Sequence, residues 1–337
     1  MVMANTYHLY LRPGIPMIEK AGGLHKFMAW DSALMTDSGG YQIFSLAKLR
    51  KLSDQGVTFR SHIDGSQHLI TPELAINFQE SLGADIITVL DECPAYAEAP
   101  KRVIEAMERT HEWAERCLKA KTQDDQALFA IVQGGLIPEL RRKSAGFLTS
   151  LDFPGYAIGG LSLGEPKALT NTIVTETVAL LPESKPRHLM GAGSPEDIVG
   201  GVSRGIDIFD SALPTQVARK GALFTRQGRF NIRNSGYSQK EEAFDPDCNC
   251  YACRNFSAAY LHHLFRSQEL LAYRLATIHN LYFMTNLMKV IREAILSGNF
   301  NSFKDDFLTH YQPTDDEVRL IQRERWLKAQ SRKGINY

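Results

Sequence analysis

The chain has no apolar run approaching the ~18 residues of a membrane span, and Met1 to Tyr10 lacks a basic segment followed by a hydrophobic core. Nothing therefore points to export or membrane insertion, and a cytoplasmic setting is the expectation. It also lacks net charge. Lysine plus arginine equal aspartate plus glutamate at 38 each, so any nucleic-acid surface must be local. Cysteine is sparse, with five in 337 residues. Cys93 and Cys117 stand alone and Cys248, Cys250 and Cys253 crowd together, which suits metal binding in a reducing compartment better than disulfides. Apolar material is not lacking: at 44% hydrophobic the chain can bury a large core.

From Leu34 onward, short apolar runs alternate with longer amphipathic ones, the pattern of repeated βα units around a parallel sheet. Strands are predicted at 34–36, 86–90, 128–132, 156–158, 187–189 and 206–209. Helices are predicted at 73–82, 101–120, 138–150, 167–180 and 195–204. Each strand ends in unusual residues: Asp37 with Ser38, Gly39 and Gly40; Asp91 with Glu92; Gln133 with Gly134 and Gly135; Gly159 and Gly160; Met190 and Gly191; and Asp210. In a (β/α)8 barrel such ends converge on one face, so six decorated ends in succession favour a TIM-like barrel over an open doubly wound sheet. Residues 56–65 alternate apolar and polar, as an added β ribbon would.

Asp210 closes the run RGIDIFDSALPTQ, where a brief buried strand gives way to a loop stiffened by Pro214. It is the candidate nucleophile; the plainer reading is a carboxylate capping a turn. Residues 211–240 hold no acidic side chain but carry Arg219, Lys220, Arg226, Arg229, Arg233 and Lys240, with Phe224, Phe230 and Tyr237 interleaved. Next to an active-site loop, that run is a candidate polyanion surface. The spacing C-x-C-x2-C at Cys248, Cys250 and Cys253 can wrap one zinc ion, with a later histidine completing a closed structural tetrahedron. His279 is the favoured fourth ligand and the pair His262 and His263 the alternative. Between the cysteines and His279, residues 256–276 are predicted as one long helical segment. Residues 281–296 and 303–311 are predicted to continue helical, and the charged end from Asp315 to Tyr337 is expected to be a solvated helix.

TDSGGYQ at Asp37, DEC at Asp91, VQGG at Gln133, GGLSLGE at 159–165, LMGAGSPEDI at 189–198, IFDSALPT at Asp210 and the C-x-C-x2-C…H set, in that order, closely resemble bacterial tRNA-guanine transglycosylases. The likeness runs from NTYHLYLRPG at Asn5 to about Tyr311. It implies an irregular (β/α)8 barrel over residues 1–235, a zinc-binding subdomain over 236–285 and C-terminal helices with a charged tail over 286–337. It also implies a homodimeric pentosyltransferase that exchanges the wobble guanine of GUN-anticodon tRNAs (Asp, Asn, His and Tyr type) for the 7-deazaguanine preQ1.

By resemblance, Asp210 attacks the ribose C1′ and Asp37 is the general acid/base. Asp91 accepts from the N1 and N2 hydrogens of the base, Gln133 and the Gly160 N–H meet its O6, and the Leu161 carbonyl takes the aminomethyl group. Tyr41 and Met190 form the stacking slot. Arg219, Lys220 and Gln216 contact tRNA, and Cys248, Cys250, Cys253 and His279 hold structural Zn2+. The family is also expected to begin earlier, so a first strand and its preceding ribbon are missing here. A barrel short of a strand cannot close, which predicts a poorly soluble or inactive product if the chain is complete. Where the family commonly has DCVLPTR this chain has Ser211, Ala212 and Gln216, and loss of the arginine predicts weaker tRNA binding. Leu163, larger than the common valine, is expected to favour preQ1 or guanine over queuine. The alternatives are an inactive RNA-binding paralogue or an archaeosine-type transglycosylase.

Overall fold

The computed structural model describes residues 1–46, 50–96 and 98–313; the expected charged helix at 315–337 lies outside them. The described chain divides into two compact units. One comprises Met1–Met190 with Gly205–Ile208; the other comprises Gly191–Arg204 and the chain from Phe209 onward.

The first unit opens with β1 (Val2–Asn5), three short helices, α1 (Thr6–Leu11), α2 (Ile15–Lys20) and α3 (Leu24–Met28), and β2 (Leu34–Asp37). After α4 (Gly40–Leu46) comes the ribbon, an antiparallel sheet of β3 (Arg50–Ser53), β4 (Gly56–Arg60) and β5 (Gln67–Ile70). The βα repeat then proceeds through α5 (Pro72–Leu82), β6 (Ile86–Thr88), α6 (Pro100–Ala120), β7 (Ala127–Val132), α7 (Pro138–Ser150), β8 (Gly155–Ile158), α8 (Lys167–Val178) and β9 (Arg187–Leu189). These strands join a seven-stranded sheet in the order β1-β2-β6-β7-β8-β9-β10, where β10 is Ile208–Phe209, the two residues at which the units meet in the chain. The result is a parallel half-barrel with helices, the TIM-like class expected.

Strand identity follows from burial. Leu128 to Val132 and Tyr156 to Ile158 are fully or almost fully buried, which is why they read as unbroken apolar runs rather than alternating ones. Pro100, Pro138 and Pro195 sit in the first turns of their helices, where a missing N–H costs nothing. The ribbon is wider than its alternation suggested. β3 is largely exposed and β5 nearly so, and neither shows the apolar periodicity that marks β4.

In the second unit, α9 (Pro195–Val202) and α10 (Leu213–Ala218) precede a hairpin of β11 (Ala222–Thr225) and β12 (Gly228–Asn231). The helices α11 (Tyr251–Asn255), α12 (Ala258–Arg266), α13 (Leu270–Leu296) and α14 (Phe300–His310) follow. The single segment expected over 256–276 is thus split. Ser267 caps α12, Gln268 takes a left-handed φ of 59° and Glu269 caps α13, so the chain turns without the glycine or proline that would have marked the break.

The edge of the sheet that carries the unusual residues is stitched by one buried side chain. The Gln79 amide donates to the carbonyls of Thr88 (2.8 Å) and Ala75 (3.0 Å). Its oxygen accepts from the Thr88 N–H (2.9 Å) and the Thr36 hydroxyl (3.1 Å). Thr88 in turn accepts from the Ser38 N–H at 2.9 Å. Gln79→Leu keeps the volume but orphans the Thr88 backbone at both groups. The expected loss is about 2–4 kcal/mol of stability, read as a lower midpoint in urea with an unchanged slope.

Candidate base pocket and metal centre

In a parallel sheet all strand C-termini share one edge, so Asn5 and Asp37, which end β1 and β2, and Asp91, Gln133, Gly159–Gly160 and Met190, which follow β6, β7, β8 and β9, lie along one rim of the first unit. Asp91 is 6% exposed and Gln133 is fully buried. The Gln133 amide donates to Asp91 Oδ2 at 2.7 Å. Burial pushes the Asp91 carboxyl up to about 6, and the Gln133 hydrogen bond opposes that shift only in part. Two glycines make this packing possible. A Cβ on Gly40 would lie 2.7 Å from the Asp91 carbonyl and 3.2 Å from its Oδ1. A Cβ on Gly160, whose φ is +69°, would lie 2.5 Å from Gln133 Oε1.

Asp37 is held from the N-terminal segment. Asn5 Nδ2 donates to Oδ2 at 2.6 Å and the Thr6 N–H to Oδ1 at 3.2 Å, while the Thr6 hydroxyl donates to the Asp37 carbonyl at 2.5 Å. Asn5 also caps α1 through the His8 N–H, so one side chain both starts the helix and orients the carboxylate. Tyr41 is 47% exposed at the start of α4, and Met190 is half-buried. Leu161 is buried, and the turn beyond it wraps around Glu165, whose carboxylate accepts from the N–H groups of Ser162 (2.5 Å), Leu163 (2.9 Å) and Gly164 (3.0 Å).

Two supports went unread in the sequence. Glu92, fully buried, is ion-paired with Arg102 and Arg109 of α6, and its own N–H donates to the Thr110 hydroxyl at 3.0 Å. This fixes the turn that presents Asp91. Arg141 of α7 brackets Gln133, donating to the carbonyls of Val132 (2.8 Å) and Gly135 (2.9 Å). Neither has a local sequence signal, since an arginine on an amphipathic helix reads as solvated.

Asp210, Gln216, Arg219 and Lys220 belong to the second unit. The Gly191 N–H donates to Asp210 Oδ1 at 3.0 Å. Gln216, Arg219 and Lys220 are exposed on and just after α10. The metal ligands expected from the sequence do come together. The donor atoms of Cys248, Cys250, Cys253 and His279 all lie within 4.8 Å of one another, with His279 Nδ1 at 3.6, 3.6 and 3.3 Å from the three sulfurs. His279 Nε2 lies 2.7 Å from the Phe224 carbonyl, which fixes the ring with Nδ1 toward the sulfurs. Neither His262 nor His263, the alternative, belongs to this group; His262 Nδ1 lies 2.8 Å from the Ile232 carbonyl. The group fits one structural metal ion, and three thiolates with one imidazole suit zinc.

A family model described as queuine tRNA-ribosyltransferase matches residues 1–313. The chain belongs to the queuine tRNA-ribosyltransferase family. The proteins of that name from Dehalococcoides mccartyi, Pelotomaculum thermopropionicum and Herpetosiphon aurantiacus are 63%, 55% and 51% identical to it. The matches cover 97%, 93% and 99% of this chain and 83%, 84% and 85% of those relatives. The family is one of pentosyltransferases, so the chain is an enzyme of that class. Among the described residues no helix is long and apolar enough to cross a membrane.

Two outcomes follow. Because the folded-state pKa of Asp91 is raised, its unfavourable contribution is absent below the unfolded carboxylate value. It grows as pH rises toward about 6 and is complete above it. Asp91→Asn should therefore be more stable than the parent at pH 8, by about 1–3 kcal/mol, with the gain fading by pH 4, as thermal melts across that range would show. For the metal centre, atomic absorption should find one zinc per chain, and chelation or His279→Ala should lower the melting temperature and remove the metal together.

Proposed function

We propose that the chain is a tRNA-guanine transglycosylase that replaces the wobble guanine of GUN-anticodon tRNAs with preQ1 through a covalent aspartyl-RNA intermediate. The observation that carries this is the buried carboxylate of Asp91 beside the Gln133 amide, with the Gly160 backbone next to that amide. A carboxylate accepts from N1–H and N2–H of a guanine-type base, while an amide and a backbone N–H donate to its O6. The Leu161 carbonyl would take the aminomethyl group of preQ1, and Tyr41 and Met190 would stack on the ring.

In the proposed reaction an Asp210 oxygen bonds to C1′ as the C1′–N9 bond breaks, and the electron pair leaves with guanine, which takes a proton from Asp37. Asp37 then removes the N9 proton of preQ1, and that nitrogen displaces the Asp210 carboxylate. Two inversions retain configuration, as in retaining glycosidases, and no activated water is required. The hydrogen bonds from Asn5 and Thr6 suit Asp37 to this role, since they fix the orientation of its carboxylate. The structural metal takes no part in these steps. Exposed Arg219 and Lys220, with Gln216, would contact tRNA, and a homodimer is part of the same reading.

The test is exchange of labelled guanine into a GUN-anticodon tRNA. The unaltered chain should incorporate label and form a denaturant-resistant RNA adduct. Asp210→Asn should lose both, by more than about a thousand-fold in rate. Undiminished exchange in that variant would remove Asp210 from the mechanism.

A further inference from the structure

Arg141 is 1% exposed, and although the buried Glu165 carboxylate acts on its charge, its guanidinium forms no ion pair among the described residues. Two of its nitrogens are spent on the carbonyls of Val132 and Gly135, and Nη2 has no hydrogen-bond partner. A buried cation left partly unsatisfied is uncommon and destabilising, so it calls for a reason. Nη2 lies 3.6 Å from where a Cβ on Gly160 would stand, and that same point is 2.5 Å from Gln133 Oε1, which is also buried without a partner. Burial lowers the guanidinium to about 10, so it stays charged at neutral pH. A positive charge therefore sits behind the two groups assigned to the base's O6.

We propose that Arg141 is a positioning residue for base exchange, bracketing Gln133 and setting its charge behind the Gln133–Gly160 pair, where a departing or incoming purine carries negative charge. This rests on the transglycosylase reading. When C1′–N9 breaks, the electron pair enters the purine ring and is shared with O6; in the second displacement the same anion forms as the N9 proton passes to Asp37. A fixed charge behind the O6 donors stabilises that anion more than the neutral base, and in a water-excluded site it needs no reorganisation. The backbone bracket keeps the Gln133 amide aimed while the charge acts.

The dependence on base acidity separates this from a purely structural role. The 8-aza analogue of guanine presents the same N1, N2 and O6 edge but loses its ring proton more readily, so it needs less help as an anion. Exchange of guanine and of 8-azaguanine into GUN-anticodon tRNA should be measured for the unaltered chain, Arg141→Met and Arg141→Lys. The expected result for Arg141→Met is a loss of about 10- to 100-fold in kcat/KM for incoming guanine, which reports the second displacement alone, and at least several-fold less for 8-azaguanine. Arg141→Lys, which keeps the charge without the bracket, should narrow the gap between the bases. An equal loss with both bases, or none, overturns the proposal. Should Arg141→Met fail to fold, Arg141→Gln, which also removes the charge, carries the test: a larger loss with guanine supports the proposal and an equal loss overturns it. Failure of the unaltered chain to exchange either base would instead overturn the transglycosylase reading, and this inference with it.

Discussion

The first unit depends on keeping one carboxylate, that of Asp91, out of water. Its partner is an amide rather than a cation, and the raised pKa corresponds to a penalty of about 3 kcal/mol at neutral pH. The proposed recognition of a base through two of its N–H groups needs such a carboxylate, because a salt-bridged one would have its lone pairs engaged. The surrounding structure serves to hold it there. Glu92 is clamped by two arginines so that the turn cannot relax, Gly40 leaves room for the carboxylate, and Gln79 locks β6 to β2 from beneath. Glu92, Gly40 and Gln79 are buried and hydrogen-bonded, so moving Asp91 toward solvent would break several contacts to relieve one penalty.

Sequence reasoning picked out the candidate groups at the strand ends and missed the side chains that hold them. Asp37, Asp91 and Gln133 are visible because each interrupts an apolar run at the place where a buried strand must end. The metal ligands are visible because three thiols within six residues have few other uses. Asn5 contacts Asp37 across 32 residues and Arg109 contacts Glu92 across 17, and no periodicity encodes a partner at such a distance. Arg141 and Arg142 stand side by side in α7, and only the fold decides that Arg141 turns inward; Arg142 is exposed. The split at Gln268 escaped for a similar reason, because a left-handed glutamine is imposed by its surroundings rather than by propensity.

In the second unit the metal centre and the loop after Asp210 are joined through adjacent residues of one helix. His279 brings Nδ1 to the cysteine sulfurs, and its other nitrogen faces the Phe224 carbonyl. Asn280, next along α13 and fully buried, accepts from the Phe224 N–H at 3.0 Å and donates to the carbonyls of Ala222 and Pro214, each at 3.0 Å. Phe224 is thus gripped on both backbone groups by neighbouring side chains, one of them a metal ligand. Pro214 lies four residues beyond Asp210, in the first turn of the helix whose last residues lead to Arg219 and Lys220. With all four donors on one metal no position would remain for substrate, and the rotation of α13 would be fixed by the bond to His279. That rotation sets where Asn280 holds Pro214. The metal centre can therefore govern the placement of the loop after Asp210 by removing the freedom of the helix to which that loop is hydrogen-bonded.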